Sequence, residues 1–284
     1  MTHTSIAPPW LPLTRAVLLD MDGTLVDSDA HVERAWRVWA AEYGVDADQI
    51  MAIQPGRAAA NTVRAVRPDL DDEGVARAAA RQSDLQLGDA PFTTPLPGAH
   101  ELLATLDRLG LPWAVVTGAV RQLALARLSA AGIDAPILVT VDEVASGKPA
   151  PDCFLLAARR LGADPASCLV IEDARAGIQA GQAAGARVAA LRGLPADLTI
   201  PDLPTLTTLL EQHLGADART RRRTGEGIAA GPELGREVSG ARVTEPAHKA
   251  NGARGTEPAW RTNGALAAEP QDGASGGRAP GLGG

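Results

Sequence analysis

Short apolar runs that end in acidic or hydroxyl side chains recur along the chain. Ala16-Val17-Leu18-Leu19 ends at Asp20, Ala114-Val115-Val116 at Thr117 and Ile137-Leu138-Val139 near Asp142. Cys168-Leu169-Val170-Ile171 ends at Glu172-Asp173, and Arg187-Val188-Ala189-Ala190 follows. Runs without polar alternation predict strands buried on both faces. Between the later runs the period becomes helical, with Leu102, Leu103, Leu106 and Leu109 on one face and further patterns over 123–128 and 155–161. This alternation predicts an α/β fold, a Rossmann-like doubly wound parallel sheet with right-handed crossovers. Ligands bind such sheets at the carboxyl ends of the strands. The polar clusters stand at those ends.

Residues 28–90 break the rhythm. Val32, Trp36, Trp39 and Tyr43 recur on one helical face, Gly56-Arg57 interrupts, and 58–66 and 74–87 are helical again. A stretch of about 60 residues is too long for one crossover connection. It predicts an inserted α-helical cap domain over 28–90, with the aromatic stripe as its own core. The α/β core domain is then 14–27 together with 91–214. Gly177, Gly181 and Gly185 recur every fourth residue, a spacing expected to let a helix pack closely on the sheet.

Apolar periodicity fades after Leu214. Residues 216–284 hold 14 of the 30 glycines, and Thr-Glu-Pro-Ala recurs at 244–247 and 256–259. Such a segment cannot offset its ordering entropy, so 215–284 is expected to be a disordered tail. A basic docking segment around Arg219, Arg221, Arg222 and Arg223 is the functional alternative to a solvated linker.

Composition narrows the class. With 45% hydrophobic residues among 284, a sizeable core is available. The net charge of −7 argues against nucleic acid as partner. No run of about 18 apolar residues would cross a membrane, and the first residues carry no secretory pattern. Cys153 and Cys168 are too few for a disulfide framework or a four-ligand zinc site. A cytoplasmic protein is expected. The pattern does not fix the oligomeric state, and a monomer is compatible with it.

The chemistry lies at the strand ends. Asp20 and Asp22 flank Met21 where the first strand stops, and Gly23-Thr24 follow. Side chains two apart leave a strand on the same side. One carboxylate of such a pair can attack an electrophile while the other donates and later accepts a proton. A single aspartate would read as a helix cap; the facing pair before Gly-Thr does not. Lys148, in Gly147-Lys148-Pro149, is the only lysine in residues 1–215, against 16 arginines there. A chain that otherwise uses arginine keeps lysine where a compact ammonium is needed, as between carboxylates and a phosphoryl group. Glu172-Asp173 can hold a hard cation, or can cap the helix that follows.

Together, Asp20-x-Asp22-Gly-Thr, Thr117 after a strand, Lys148 in Gly-Lys-Pro and Glu172-Asp173 resemble the four motifs of the haloacid dehalogenase superfamily, in family order, over residues 14–214. The resemblance is to its phosphatase branch with a helical cap after the first strand. Val32-Glu33-Arg34-Ala35-Trp36 and Gly56-Arg57 look like the hexitol-, sugar- and glycerol-phosphate phosphatases. The resemblance implies a phosphomonoester hydrolase acting on a small phosphorylated sugar or polyol. In it Asp20 is the nucleophile that forms an aspartyl phosphate, and Asp22 is the general acid and base. Thr117, Gly118 and Lys148 hold the phosphoryl oxygens, and Arg57 in the cap reads the rest of the substrate. Mg²⁺ is implied on Asp20, the main-chain carbonyl of Asp22, Asp173 and Glu172. Asp22 separates the chain from the superfamily's dehalogenases, and a cap without lysine separates it from the phosphonatases. A β-phosphoglucomutase-like mutase is the alternative, although His31 stands one position before the place where those enzymes carry histidine. A non-catalytic module that binds a phosphorylated ligand is the alternative from another class. Gly118-Ala119 departs from the Ser or Asn often found after the threonine.

Overall fold

The apolar runs become strands because each can bury both of its faces. The structure, a computed structural model, describes residues 8–224, with side chains up to Gly215. Strand β1 (Ala16–Leu19) leads through a turn at Gly23, where φ is +78°, to the short β2 (Val26–Asp27). Four helices follow: α1 (Asp29–Tyr43), α2 (Ala47–Ile53), α3 (Ala59–Val66) and α4 (Asp72–Leu87). Asp46 caps α2 and Asp71 caps α4, each carboxylate accepting a main-chain N–H. The chain returns through β3 (Thr94–Pro95), which pairs antiparallel with β2 and closes a two-stranded stem under the four helices.

The remainder alternates as the pattern predicts. It runs α5 (Ala99–Leu109), β4 (Trp113–Val116), α6 (Arg121–Ala130), β5 (Leu138–Val139), α7 (Asp152–Arg160), β6 (Cys168–Glu172), α8 (Arg175–Ala183), β7 (Arg187–Ala190), β8 (Leu198–Thr199) and α9 (Leu203–Thr224). The sheet order is β5-β4-β1-β6-β7-β8, all parallel. Alternate residues face opposite layers. Val17, Leu19, Val115, Leu169 and Ile171 pack with leucines of α5 and α9. Ala16, Leu18, Ala114, Val116 and Val170 pack with Phe154 of α7 and Ile178 of α8.

The four inserted helices have a core of their own, in which Trp36, Trp39 and Ala40 meet Ile50, Val63, Val75 and Ala78. Trp39 stacks on Tyr43 at 4.3 Å between ring centres and meets Trp36 edge-on at 5.3 Å. Its indole N–H donates to the carbonyl of Ala78, so the aromatic stripe packs as expected.

Two sequence expectations change. Helix α9 carries the backbone as far as Thr224, past the expected end at 214. Leu214 is the last buried leucine among the residues whose side chains are described. Residues 225–284 of the expected tail lie outside the described residues. Of the three spaced glycines, Gly177 and Gly181 press against neighbours, whereas Gly185 lies beyond the end of α8 with φ +82° and open space around it. It turns the chain rather than packing a helix.

Candidate active site

Strand β1 lies between β4 and β6, so their carboxyl ends present side chains next to one another. Leu19 is level with both Val115 and Ile171, which puts Asp20 one step on, beside Val116 and Glu172. The Asp20 N–H donates to the carbonyl of Ile171 at 3.0 Å, fixing that level. Thr117 follows β4 and is buried, its hydroxyl accepting the N–H of Ala119.

Lys148 reaches this edge from the loop before α7. Its Nζ donates to Asp20 Oδ1 at 2.5 Å, to Glu172 Oε1 at 2.6 Å and to the carbonyl of Val116 at 3.0 Å. The ring of Phe154 lies 5.0 Å below it. Only 1% of the lysine side chain is exposed. Burial alone would lower its proton affinity, but Asp20 and Glu172 more than offset that and hold it above the ordinary lysine range. Every ammonium donor is used, and an arginine fork would not fit between two carboxylates this close.

The carboxylates bear the cost of proximity. Burial, then Glu172, raise Asp20 well above the usual carboxylate range, while Lys148 pulls the other way. Asp173 is pushed up to about 7 by burial and by Glu172, against Arg192. One oxygen from each of Asp20, Glu172 and Asp173 lies within 4.8 Å of the others. Crowded, buried and all-oxygen, this donor set suits a small hard cation, whose charge would relieve the repulsion. Glu172 also looks backward: Oε2 accepts the main-chain N–H groups of Asp173 and Ala174 at 3.0 and 3.1 Å.

Above the carboxylates opens a cavity of about 1030 Å³. Asp20, Asp22, Thr117, Gly118 and Asp173 line its floor. Val32, Trp36, Arg57, Ala79 and Ser83 of the inserted helices line its roof. Arg57 sits on the loop before α3. At Gly56 φ is +71° and a Cβ would stand 2.7 Å from the Cβ of Ala174, so this loop touches the start of the 174–184 segment only because residue 56 has no side chain. A Cβ on Gly118 would lie 3.4 Å from the main chain of Arg57 and Ala58. That is ordinary van der Waals contact, so the Arg57 loop does not itself require glycine at 118. Among the described residues Arg57 makes no ion pair, so the surface salt bridge that sequence alone left open is absent. His31 is not among the lining residues, and Val32 is.

The residues singled out for the phosphatase reading, Asp20, Asp22, Arg57, Thr117, Gly118 and Asp173, line one cavity, with Lys148 and Glu172 just beneath its floor. Two arginines were missed. Arg192 donates to both oxygens of Asp29 on α1 and stands 2.9 Å from Asp173 Oδ2. It has a left-handed backbone, φ +57°, unusual for arginine, and no sequence signal marks it. Arg127 pairs with Asp22 at 2.7 Å. Its signal was present: it falls on the buried stripe of α6 with Leu123, Ala124 and Leu128.

The family model described as haloacid dehalogenase-like hydrolase matches residues 14–185. The chain is 40% identical over 184 residues to hexitol phosphatase A of Escherichia coli K12, covering 64% of this chain and 85% of that one. It is 37% identical over 178 residues to the fructose-1-phosphate phosphatase YqaB of the same organism, covering 60% and 92%. Among solved structures, a hydrolase from Pseudomonas syringae superposes with a TM-score of 0.64 at 28% identity, over 70% of this chain and 98% of that one.

Proposed function

The chain belongs to the haloacid dehalogenase-like hydrolases, and on that premise we propose that it is a Mg²⁺-dependent phosphatase of a small phosphorylated sugar or polyol. The observation that carries the reading is the pairing of Asp20 and Asp22 at the floor of a cavity, with Lys148 locked onto Asp20. The names of the relatives point to hexitol and sugar phosphates.

Asp20 attacks phosphorus and becomes an aspartyl phosphate as the bond to the alcohol breaks. Asp22 gives its proton to the departing oxygen, then takes one from the water that hydrolyses the intermediate. Lys148, expected from the sequence to meet the phosphoryl oxygens as well, has all three donors taken and acts by orienting Asp20, while the Thr117 hydroxyl and the Gly118 main chain meet the non-bridging oxygens. Asp20, the carbonyl of Asp22, Asp173 and Glu172 would hold Mg²⁺. The ion, when bound, supplies positive charge against the carboxylates and the transferring phosphoryl group. The helical cap excludes water, and Arg57 meets the hydroxylated part of the substrate.

The test is phosphate release from a panel of hexitol, hexose, deoxyhexose and glycerol phosphates, with Mg²⁺ and with EDTA. Glucose 1-phosphate belongs in the panel, because its conversion to the 6-phosphate without release would make the protein a mutase. Release that depends on Mg²⁺ and falls at least about 10³-fold in Asp20→Asn, with folding unchanged, is expected. Turnover by Asp20→Asn near the wild-type rate would sink the covalent mechanism.

A further inference from the structure

Arg127 lies in the core side of α6 with 1% of its side chain exposed. Removing a guanidinium from water costs several kcal/mol unless its donors are met. Nη1 donates to Asp22 Oδ1 at 2.7 Å and Nη2 donates to Gln86 Oε1 at 2.6 Å, whereas the buried Nε has no hydrogen-bond partner among the described residues. Gln86 is itself buried on α4, where its amide donates to Gln82 Oε1. Ser28, the residue before α1, donates its hydroxyl to the same Asp22 Oδ1 at 2.7 Å. Two donors from different elements therefore converge on one oxygen of Asp22. Among the described residues no hydrogen bond reaches its other oxygen, Oδ2, and the residue lines the cavity.

This asymmetry suits a proton donor. A carboxyl group transfers a proton well only when one oxygen is held towards the acceptor, and tethering the opposite oxygen supplies that orientation. An arginine fork can span two partners on separate elements, which a lysine cannot do with the same geometry. We propose that Arg127 is a positioning residue for Asp22. Braced by Gln86 on α4, it fixes Oδ1 and so presents Oδ2 to the leaving oxygen. The assignment rests on the phosphatase reading above. The step it serves is the first: an Asp20 oxygen bonds to phosphorus, the bond from phosphorus to the alcohol oxygen breaks, and that oxygen takes the proton from Asp22 Oδ2.

An alkoxide needs that proton to leave, and 4-nitrophenolate does not. The parameter kcat/KM covers steps up to expulsion of the leaving group and excludes later hydrolysis of the aspartyl phosphate. The experiment compares kcat/KM for a hexitol phosphate with that for 4-nitrophenyl phosphate in wild type, Arg127→Met and Arg127→Lys. In Arg127→Met the ratio of alkyl to aryl ester should fall about 10- to 100-fold, part of the usual contribution of a general acid. The fall should lie in kcat, with KM for the hexitol phosphate within about threefold of wild type, and Arg127→Lys should restore part of it. Equal losses on both esters would overturn the proposal, leaving Arg127 a structural residue. A change confined to KM would also overturn it, by making Arg127 a substrate contact. Should Arg127→Met not fold, Gln86→Leu loosens the same arm and should move the ratio the same way by about 2- to 5-fold; an unchanged ratio would overturn the proposal. Wild-type protein that releases phosphate from neither ester would overturn the phosphatase reading itself, and this assignment with it.

Discussion

Asp173 keeps its proton to about pH 7, because burial and Glu172 both resist its ionisation and Arg192 only partly offsets them. In the unfolded chain the same group ionises near its ordinary value of 3.8. Between those values the folded state binds more protons than the unfolded state, so the stability of the metal-free protein should fall as pH rises from about 4 to about 7. A salt-bridged aspartate with a depressed pKa would give the opposite slope. Cation binding on the ligand set proposed above would expel this proton. Mg²⁺ affinity measured by titration calorimetry should therefore climb up to tenfold per pH unit below about 7 and level off above it. Affinity independent of pH from 5.5 to 8 would remove Asp173 from the ligand set. At Arg57 the expected change is selective: Arg57→Ala should reduce kcat/KM for a sugar phosphate about 10-fold, as for the loss of one charged hydrogen bond, and less for an aryl phosphate that barely meets the roof. Equal losses would place Arg57 outside the substrate-reading surface.

At the scale of elements, α8 decides how Glu172 is held. A Cβ on Gly177 would stand 1.6 Å from Glu172 Oε1, the oxygen that accepts from Lys148. Gly177→Ala must therefore move either the helix or the carboxylate that holds Lys148. We expect about 1–3 kcal/mol of lost stability, as for overpacking, together with at least a tenfold fall in kcat. At Gly181 the added carbon would lie 3.0 Å from Val188 Cγ2 and 3.2 Å from both methyl groups of Val170. Gly181→Ala should then cost stability without touching kcat. Thermal melts and steady-state kinetics on the two variants separate these roles. Like effects in both would mean that the helix moves as a unit and that Glu172 is not singled out. The four inserted helices follow the same logic in reverse: their aromatic core is separate from the sheet, and they reach the floor through single contacts such as the Gly56 loop, Gln86 on Arg127, Asp29 on Arg192, and Asn61, which donates to the carbonyls of Gly147 and Lys148.

For the molecule as a whole, the sheet order brings together parts of the chain that are far apart in sequence. Asp20, Thr117, Lys148 and Glu172 meet because β1 lies between β4 and β6. The last layer of that core is α9, whose Leu203, Leu206, Leu210 and Leu214 are buried. Four such side chains are together worth roughly 6–12 kcal/mol, comparable with a whole domain's margin. A chain ending after Thr224 should keep the thermal midpoint within about 2 °C, whereas one ending after Asp202 should not fold. A midpoint that drops by many degrees in the longer truncation would show that residues 225–284 contribute to stability. Among the described residues no helix is long and apolar enough to cross a membrane.

Five of the six strands of the main sheet, the parallel architecture and most of the floor of the site were legible in the sequence, for a local reason; the two-residue β2, β3 and β8 were too short to leave an apolar run. A strand buried on both faces must be apolar throughout, so the first polar residue after it marks its carboxyl end, and Asp20, Thr117 and Glu172 each stood there. Lys148 was legible because it is the lone lysine in a stretch that otherwise uses arginine. What pairs with what was not. That Lys148 bridges Asp20 and Glu172, that Gly177 makes room for Glu172 while Gly185 only turns the chain, and that Arg192 joins Asp29 to Asp173 all depend on distances across the fold. Arg127 shows the boundary most clearly. Its place on the apolar face of a helix was written in the sequence, but its partners lie 105 and 41 residues away. Periodicity reports which side of an element is buried; only the packing of one element on another decides which buried charges meet.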